Sequence, residues 1–288
     1  MIAANKKTWF DYLNICVMIL LAAMVIVPMW YIFVISTSTY AGYISDPYHL
    51  IPYTFTLEHY ARAFTQTKEL LRSLWVTIRV TVIGTLLSML LTTAGGYALS
   101  KDELPGRDIL FFFIILTMFF SGGLVPYYIV VRKLGLNNTL WSMILPVMMS
   151  SYNLILMKNY FLTLPPSLEE AARIDGYQDI QILFKIVLPI STPVLAAIAL
   201  FYGVGYWNGY FEAYLFVSSA KLWPFQMYLR DLTLVNANAV RTGATSGPMV
   251  QESYKMAIVV IGIVPVLIIY PFVQKYFATG IILGAVKE

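Results

Sequence analysis

The sequence predicts an all-α integral membrane fold with six transmembrane helices, and three observations carry that reading. Of the 288 residues, 59% are hydrophobic and only 12% charged, whereas soluble domains carry about 25% charged residues. The mean hydropathy is +0.72. Six stretches also hold about 20 mostly apolar residues each, the length a helix needs to cross a bilayer core. A net charge of +4 is small and says little about nucleic acid. The single cysteine, Cys16, lies in an apolar run, so neither an intrachain disulfide nor a cysteine metal site is expected. His49 and His59 are the two histidines, and neither has a second ligand at metal spacing.

The expected spans are 12–36, 74–99, 109–131, 140–161, 187–218 and 256–277, within one transmembrane domain covering 1–288. The first is too long, and its exit too polar and bulky, for a cleaved signal peptide, so it is expected to remain in the mature protein. The fifth is long enough to tilt or break. Between the spans, 37–73 is polar and aromatic, with Pro47 and Pro52 as breakers. Residues 100–108 form a tight loop through Leu104-Pro105-Gly106-Arg107. Residues 163–189 are polar and helical in pattern, and 220–255 read as a long outer loop rich in Asn, Gly, Ser and Thr. Pro28, Pro126, Pro146, Pro193, Pro265 and Pro271 fall within spans. Such breaks survive in a membrane where protein or a cavity satisfies the freed backbone. They point to a moving pathway more than to a rigid anchor.

Six spans put both termini on one side, but the Lys/Arg bias does not choose it. With the N-terminus inside, nine basic residues fall inside and ten outside. Only Lys6 and Lys7, before the first span, lean toward the cytoplasm.

The segment between the fourth and fifth spans is the most informative. Pro165 and Pro166 stop the preceding chain, and Ser167 with Glu170 three residues on has the spacing of a capping box. Ala171 and Ala172 are strong helix formers without bulk. Gly176 suits the left-handed position just past a helix end. Asp179 can then cap a second helix running through Ile180, Leu183 and Ile186 to Pro189. A short helix with small residues on one side fits insertion into a groove of another protein. The plainer alternative makes Glu170 a capping residue and Gly176 a helix stop.

Glu170-Ala171-Ala172, Gly176 after three further residues, and Ile186-x-Leu188-Pro189 after nine more resemble the EAA loop of binding-protein-dependent ABC importer permeases. Nearly the whole chain is similar to MalG-type sugar permeases, and most to their polysaccharide-linked, LplC/YtcP-like branch. Matching pieces are Tyr97-Ala98-Leu99-Ser100, Pro105-Gly106-Arg107, Phe120 to Pro126, Leu134-Gly135-Leu136, Trp207-Asn208 and the tail from Gly280 to Lys287. The resemblance implies a MetI/MalG-like permease fold in the bacterial cytoplasmic (inner) membrane. It implies a cytoplasmic coupling-helix loop and hence both termini cytoplasmic. Glu170, Ala171, Ala172, Asp175, Gly176, Ile186, Leu188 and Pro189 would then couple the chain to an ATPase. The implied partners are a homologous second permease, two ATP-binding subunits that hold Mg-ATP, an extracytoplasmic solute-binding protein and membrane lipid, with no nucleic acid. The protruding loop of such permeases also places docking of the binding protein at 220–255.

No G-x-x-x-x-G-K-[ST] phosphate loop occurs, and Gly203-Val204-Gly205 has no following lysine. No Ser/His/Asp or paired-carboxylate constellation suggests catalysis, so the chain is not read as an enzyme, and it has no cofactor of its own. Energy must enter through a partner.

For the solute path, the fifth span offers Tyr202, Tyr206, Trp207, Asn208, Tyr210, Phe211, Glu212 and Tyr214. Aromatic faces pack on sugar C–H surfaces, and Tyr, Trp and Asn polar atoms can bond hydroxyls. Tyr152 and Asn153, beside Ser150 and Ser151, offer the same in the fourth span. Arg79 and Glu212 are intramembrane ionisable groups, which default to functional candidates. The alternatives are interfacial aromatic belts, helix packing through Asn, and snorkelling of Arg79. Ser121-Gly122-Gly123 reads as a hinge or a close-packing site. The outward excess of basic residues, with Arg79, leans toward an acidic, uronate-containing oligosaccharide such as one derived from alginate or pectin. The rivals are a non-sugar solute on the same scaffold and an ion-coupled secondary transporter, although the buried acidic or histidine relays the latter needs are nearly missing.

Overall fold

The computed structural model describes residues 8–46, 48–52, 54–242 and 251–285. Lys6, Lys7, Pro47, Val286 and Lys287, which the sequence reading used, lie outside the described residues. The elements in order are α1 (Trp9–Ser36), α2 (Tyr40–Ser45), α3 (Glu58–Gln66), α4 (Lys68–Ser100), α5 (Arg107–Phe119) and α6 (Leu124–Lys133). Two 3₁₀ turns, Leu140–Met143 and Leu145–Val147, precede α7 (Ser151–Leu162). Then come α8 (Pro166–Ile174), α9 (Asp179–Ile182), a π-turn (Leu183–Val187), α10 (Leu188–Ile190), α11 (Thr192–Asn208) and α12 (Phe211–Phe216). Helices α13 (Phe225–Thr242) and α14 (Glu252–Ala285) complete the chain.

Three of these helices are long and apolar enough to cross a membrane unaided: α1, α4 and the Glu252–Phe272 part of α14. Three bent helix pairs also have the length and composition of a span when each pair is taken together. Arg107–Phe119 meets Leu124–Lys133 at 120°, Leu140–Val147 meets Ser151–Leu162 at 50°, and Asp179–Ile190 meets Thr192–Asn208 at 87°. Among the described residues the number of crossings is thus three, or six when each bent pair is counted as one. Half of the span prolines are not at breaks: Pro28, Pro265 and Pro271 lie inside continuous helices, while Pro126, Pro146 and Pro193 each lie within three residues of one. The breaks fall at 120–123, 148–150 and Ser191. At the first, Gly123 has φ +81°, and a Cβ there would meet nothing within 4 Å. Conformational freedom, not close packing, is what this glycine supplies.

Two boundaries differ from expectation. Helix α4 starts at Lys68 rather than 74, because its charged first turn places Glu69 at the positive helix end. The segment 220–255, expected as a loop, holds α13. Phe225, Tyr228, Leu229 and Leu232 recur at three- and four-residue spacing and are buried or half-buried, and this amphipathic pattern outweighs the Asn- and Thr-rich composition.

Where one continuous domain is expected, the described residues fall into two compact units. The first joins Met1–Lys68 to Leu229–Val264. On α1, Met18, Ile19, Leu20, Met24, Val25 and Ile26 are each at least 59% exposed, an apolar face that needs lipid or protein to cover it. The far end of α1 is tied down by polar contacts. Thr56 N–H donates to the Thr37 carbonyl at 2.8 Å, and Ser36 Oγ lies 2.7 Å from the Tyr60 hydroxyl. Both histidines are 6% exposed. His49 bonds Ser38 Oγ at 3.0 Å, and His59 Nε2 donates to the Ser38 carbonyl at 3.2 Å. Their work is structural.

The second unit, Glu69–Tyr228 with Pro265–Glu288, has a core of Val76, Val80, Met157, Ile182, Val187 and Ile198, each no more than 4% exposed.

Candidate functional site

Helix α11 places Tyr202 and Tyr206 one turn apart on a single face. The Tyr202 hydroxyl lies 2.7 Å from Thr92 Oγ1 and accepts the Ser150 backbone N–H at 3.1 Å. The Tyr206 hydroxyl donates to the Ile144 carbonyl at 3.3 Å and lies 3.0 Å from Ser88 Oγ. Its one proton is thereby used, so Ser88 is the donor in the second contact. Ser150 lies in the break of the fourth span, and Ile144 lies between the two 3₁₀ turns that precede it. The Tyr202 hydroxyl thus satisfies a backbone N–H in the break, as an apolar surrounding requires, while the Tyr206 hydroxyl adds a second bond to a carbonyl that already accepts the Val147 N–H at 3.3 Å. Gly84 makes room for this: a Cβ there would lie 2.6 Å from the Tyr206 ring.

A cavity of about 350 Å³ opens on this face. Ser150, Asn153, Tyr202, Gly205, Tyr206, Gly209 and Glu212 line it with Val80, Met143, Phe201 and Pro224. Three expected pathway residues, Asn153, Tyr206 and Glu212, are brought together here. The others lie elsewhere. Tyr152 is 57% exposed and off the lining. Trp207 lines a separate apolar cavity of about 250 Å³ with Thr81, Ala196, Gly203 and Pro265. Asn208 Oδ1 accepts from Gln226 Nε2 at 3.3 Å. Tyr210 is 42% exposed, next to the α11–α12 junction. The Arg79 guanidinium sits 5.8 Å from the Trp75 ring centroid, and its neighbour Val80, not Arg79, faces the cavity. Tyr202 was one aromatic among several in the sequence, and its four-residue spacing from Tyr206 was the signal to single it out.

Helix α8 begins at Pro166, with Pro165 in the N-cap position. The expected Ser167–Glu170 capping box is not formed, because proline is pre-organised for the first helical turn and takes that place. Glu170 makes no hydrogen bond or ion pair to a described residue and is exposed, as are Ala171, Asp175, Gly176 and Pro189. Ile186 and Leu188 are half-buried, while Ala172 is 3% exposed. Gly176 has φ +84°. Its N–H bonds the Arg173 carbonyl and the Tyr177 N–H bonds the Ala172 carbonyl, both at 3.0 Å, the paired bonds of a Schellman end. The second helix starts at Asp179 and is capped through Gln178, whose N–H donates to Gln181 Oε1 at 3.1 Å. Asp179 is not the cap: it pairs with Arg173 at 3.2 Å. The outer side carries Ile174, Ile180 and Phe184, which are 87%, 72% and 61% exposed.

A set of ion pairs that the sequence did not announce ties α8 to the end of α4. Lys101 Nζ pairs with Glu169 and lies 4.3 Å from the Tyr97 ring centroid. Tyr97 also donates to Glu169 Oε2 at 3.4 Å. Arg173 reaches Glu103 at 3.4 Å. The Glu103 carboxyl is held below its ordinary pKa, first by a hydrogen bond from its own backbone and then by Arg173. The same contacts hold the Arg173 guanidinium above its ordinary value, the Glu103 hydrogen bond first and the Asp179 charge next.

Comparison with known proteins agrees with this architecture. Residues 106–283 match the family described as "Binding-protein-dependent transport system inner membrane component". The chain is 41% identical over 285 residues to the polygalacturonan/rhamnogalacturonan transport system permease protein YtcP of Bacillus subtilis (strain 168), covering 98% of this chain and 99% of that one. It is also 41% identical over 280 residues to protein LplC of the same organism, covering 96% and 95%. Among solved structures, a chain of a bacterial ABC transporter involved in the import of the acidic polysaccharide alginate superposes with a TM-score of 0.84. That match is 35% identical and covers 93% of this chain and 96% of the other. By the family match and the 41% identity to relatives along nearly its whole length, this protein belongs to the family of inner-membrane components of binding-protein-dependent transport systems.

Proposed function

We propose that this chain is one of two permease subunits of an ATP-driven importer that carries oligosaccharides, acidic ones included, into a bacterial cell. The observation that carries the reading is the α8–turn–α9 unit. It exposes Glu170 beside Ile174, Ile180 and Phe184, while Ala172 and Ile182 root it in the core that surrounds the cavity. An exposed apolar face beside an unpaired carboxylate suits a groove on an ATPase subunit. In this reading the loop and both termini face the cytoplasm, and the segment at 220–255 faces the solute-binding protein. Closure of the ATPases on ATP moves α8. Lys101–Glu169 passes that motion to α4, and the Ala172 and Ile182 packing passes it to the helices around the cavity, which alternates its access. The polysaccharides named for the relatives support the acidic-glycan assignment.

The test is co-purification from the native host in mild detergent, with mass spectrometry of the retained proteins. Recovery of a second permease and an ATPase is expected. Retention of the second permease without any ATPase would overturn the reading and bring an ion-coupled carrier forward.

A further inference from the structure

The cavity has one charged side chain on its described lining, and that side chain is an anion. Glu212 lies half-buried in the first turn of α12, and its carboxylate makes no hydrogen bond or ion pair to a described residue. The polar groups around it are fewer than the residue names suggest. The Tyr202 hydroxyl is engaged by Thr92 and the Ser150 N–H. The Tyr206 hydroxyl is engaged by Ser88 and the Ile144 carbonyl. What a solute meets is therefore a carboxylate, the Asn153 amide, two phenol rings and a Ser150 hydroxyl whose oxygen already accepts the Asn153 backbone N–H at 3.3 Å. Arg79, the nearby intramembrane cation of α4, is not on the lining.

This set has a definite chemistry. A carboxylate accepts hydrogen bonds from sugar hydroxyls, and charge strengthens them. Ring faces pack on C–H surfaces. A second carboxylate in the same space is repelled, and the partly dry cavity screens that repulsion less than water would. From this geometry, and resting on the oligosaccharide reading above, we propose that Glu212 is a specificity determinant that admits the hydroxyl-bearing faces of a glycan and turns uronate carboxylates away from this chain's cavity. An acidic oligosaccharide then passes with its charged groups directed elsewhere along the path, and its neutral ester is favoured at this point.

The experiment uses the complete transporter, with its partner subunits and binding protein, in proteoliposomes. Uptake of an oligogalacturonide is compared with that of its methyl-esterified form, each normalised to its affinity for the isolated binding protein. Glu212→Gln is expected to raise the acid-to-ester uptake ratio roughly five- to tenfold, the scale of one like-charge contact in a half-solvated site. Glu212→Asp keeps the charge and the wild-type ratio. Glu212→Asn repeats the neutralisation with a shorter side chain and serves if Glu212→Gln fails to assemble. An unchanged ratio in an assembled neutral variant overturns the charge filter and leaves the oligosaccharide reading standing. A wild-type complex that carries neither form overturns that reading, and the filter with it.

Discussion

Gly84 and Tyr206 show how tightly single residues set this architecture. A Cβ at Gly84 would lie 2.6 Å from the ring whose hydroxyl holds the Ile144 carbonyl. The ring must move, and its bonds to Ser88 and Ile144 move with it. Gly84→Ala is expected to destabilise the protein by about 1–3 kcal/mol, the range for overpacking a filled interior. A lowered melting midpoint of the purified complex is the readout, and an unchanged one would mean that the ring has room to shift. Gly176 poses the opposite case. Space around it is open, but φ +84° strains any L side chain. The intrinsic cost is about 1 kcal/mol, enough to re-aim the turn between α8 and α9 without unfolding the chain. Gly176→Asp is expected to leave the permease in the membrane and abolish both uptake and solute-stimulated ATP hydrolysis. Intact coupling in that variant would remove the loop from the mechanism.

At the scale of elements, the junction of α8 with the end of α4 invites a direct measurement. Lys101 and Glu169 are each about one-fifth exposed, and their pairing joins segments 68 residues apart. Lys101→Glu and Glu169→Lys alone place like charges together, so each is expected to lower solute-stimulated ATPase activity. The double swap restores the pair and should recover part of the loss, with an interaction energy of about 1–3 kcal/mol from the mutant cycle. Strictly additive losses would show that the pair does not transmit motion. The broken spans belong to this scale too. A break at mid-membrane is tolerable only when its backbone groups find partners. The Tyr202 hydroxyl provides one for the Ser150 N–H in the fourth span, and Tyr206 adds a bond to the Ile144 carbonyl, so these tyrosines brace the cavity wall as well as line it.

For the whole molecule, orientation is the property on which the functional reading turns, and basic-residue bias left it open. The chain has one cysteine, Cys16, so a cysteine-free background needs only Cys16→Ser. In that background Ser167→Cys, at an exposed position of α8, is expected to react with a membrane-impermeant maleimide only after the cells are opened. Lys221→Cys should react in intact cells. Labelling of Ser167→Cys from outside would invert the topology and detach α8 from any cytoplasmic ATPase.

The membrane class, the existence of six apolar spans and the EAA-type loop were legible from the sequence alone. Each rests on local information: composition, apolar runs of bilayer length, and the spacing of small residues and glycine that ends α8. Local patterns were less reliable where two good caps competed, as at Pro165–Ser167 and Gln178–Asp179, and where an amphipathic helix, α13, hid in a loop-like composition. The tertiary structure decided which of the marked points become breaks: the Ser121-Gly122-Gly123 site does, while Pro28, Pro265 and Pro271 stay inside helices, because a break persists where other groups bond the freed backbone. The same holds for the cavity. Asn153, Tyr206 and Glu212 meet there, while Arg79, Tyr152 and Trp207 do not, since a membrane helix offers polar residues on every face and packing alone selects the inward one. The Lys101–Glu169 pair had no signature in either segment, for an ion pair between residues far apart in the chain exists only once the fold has brought them together.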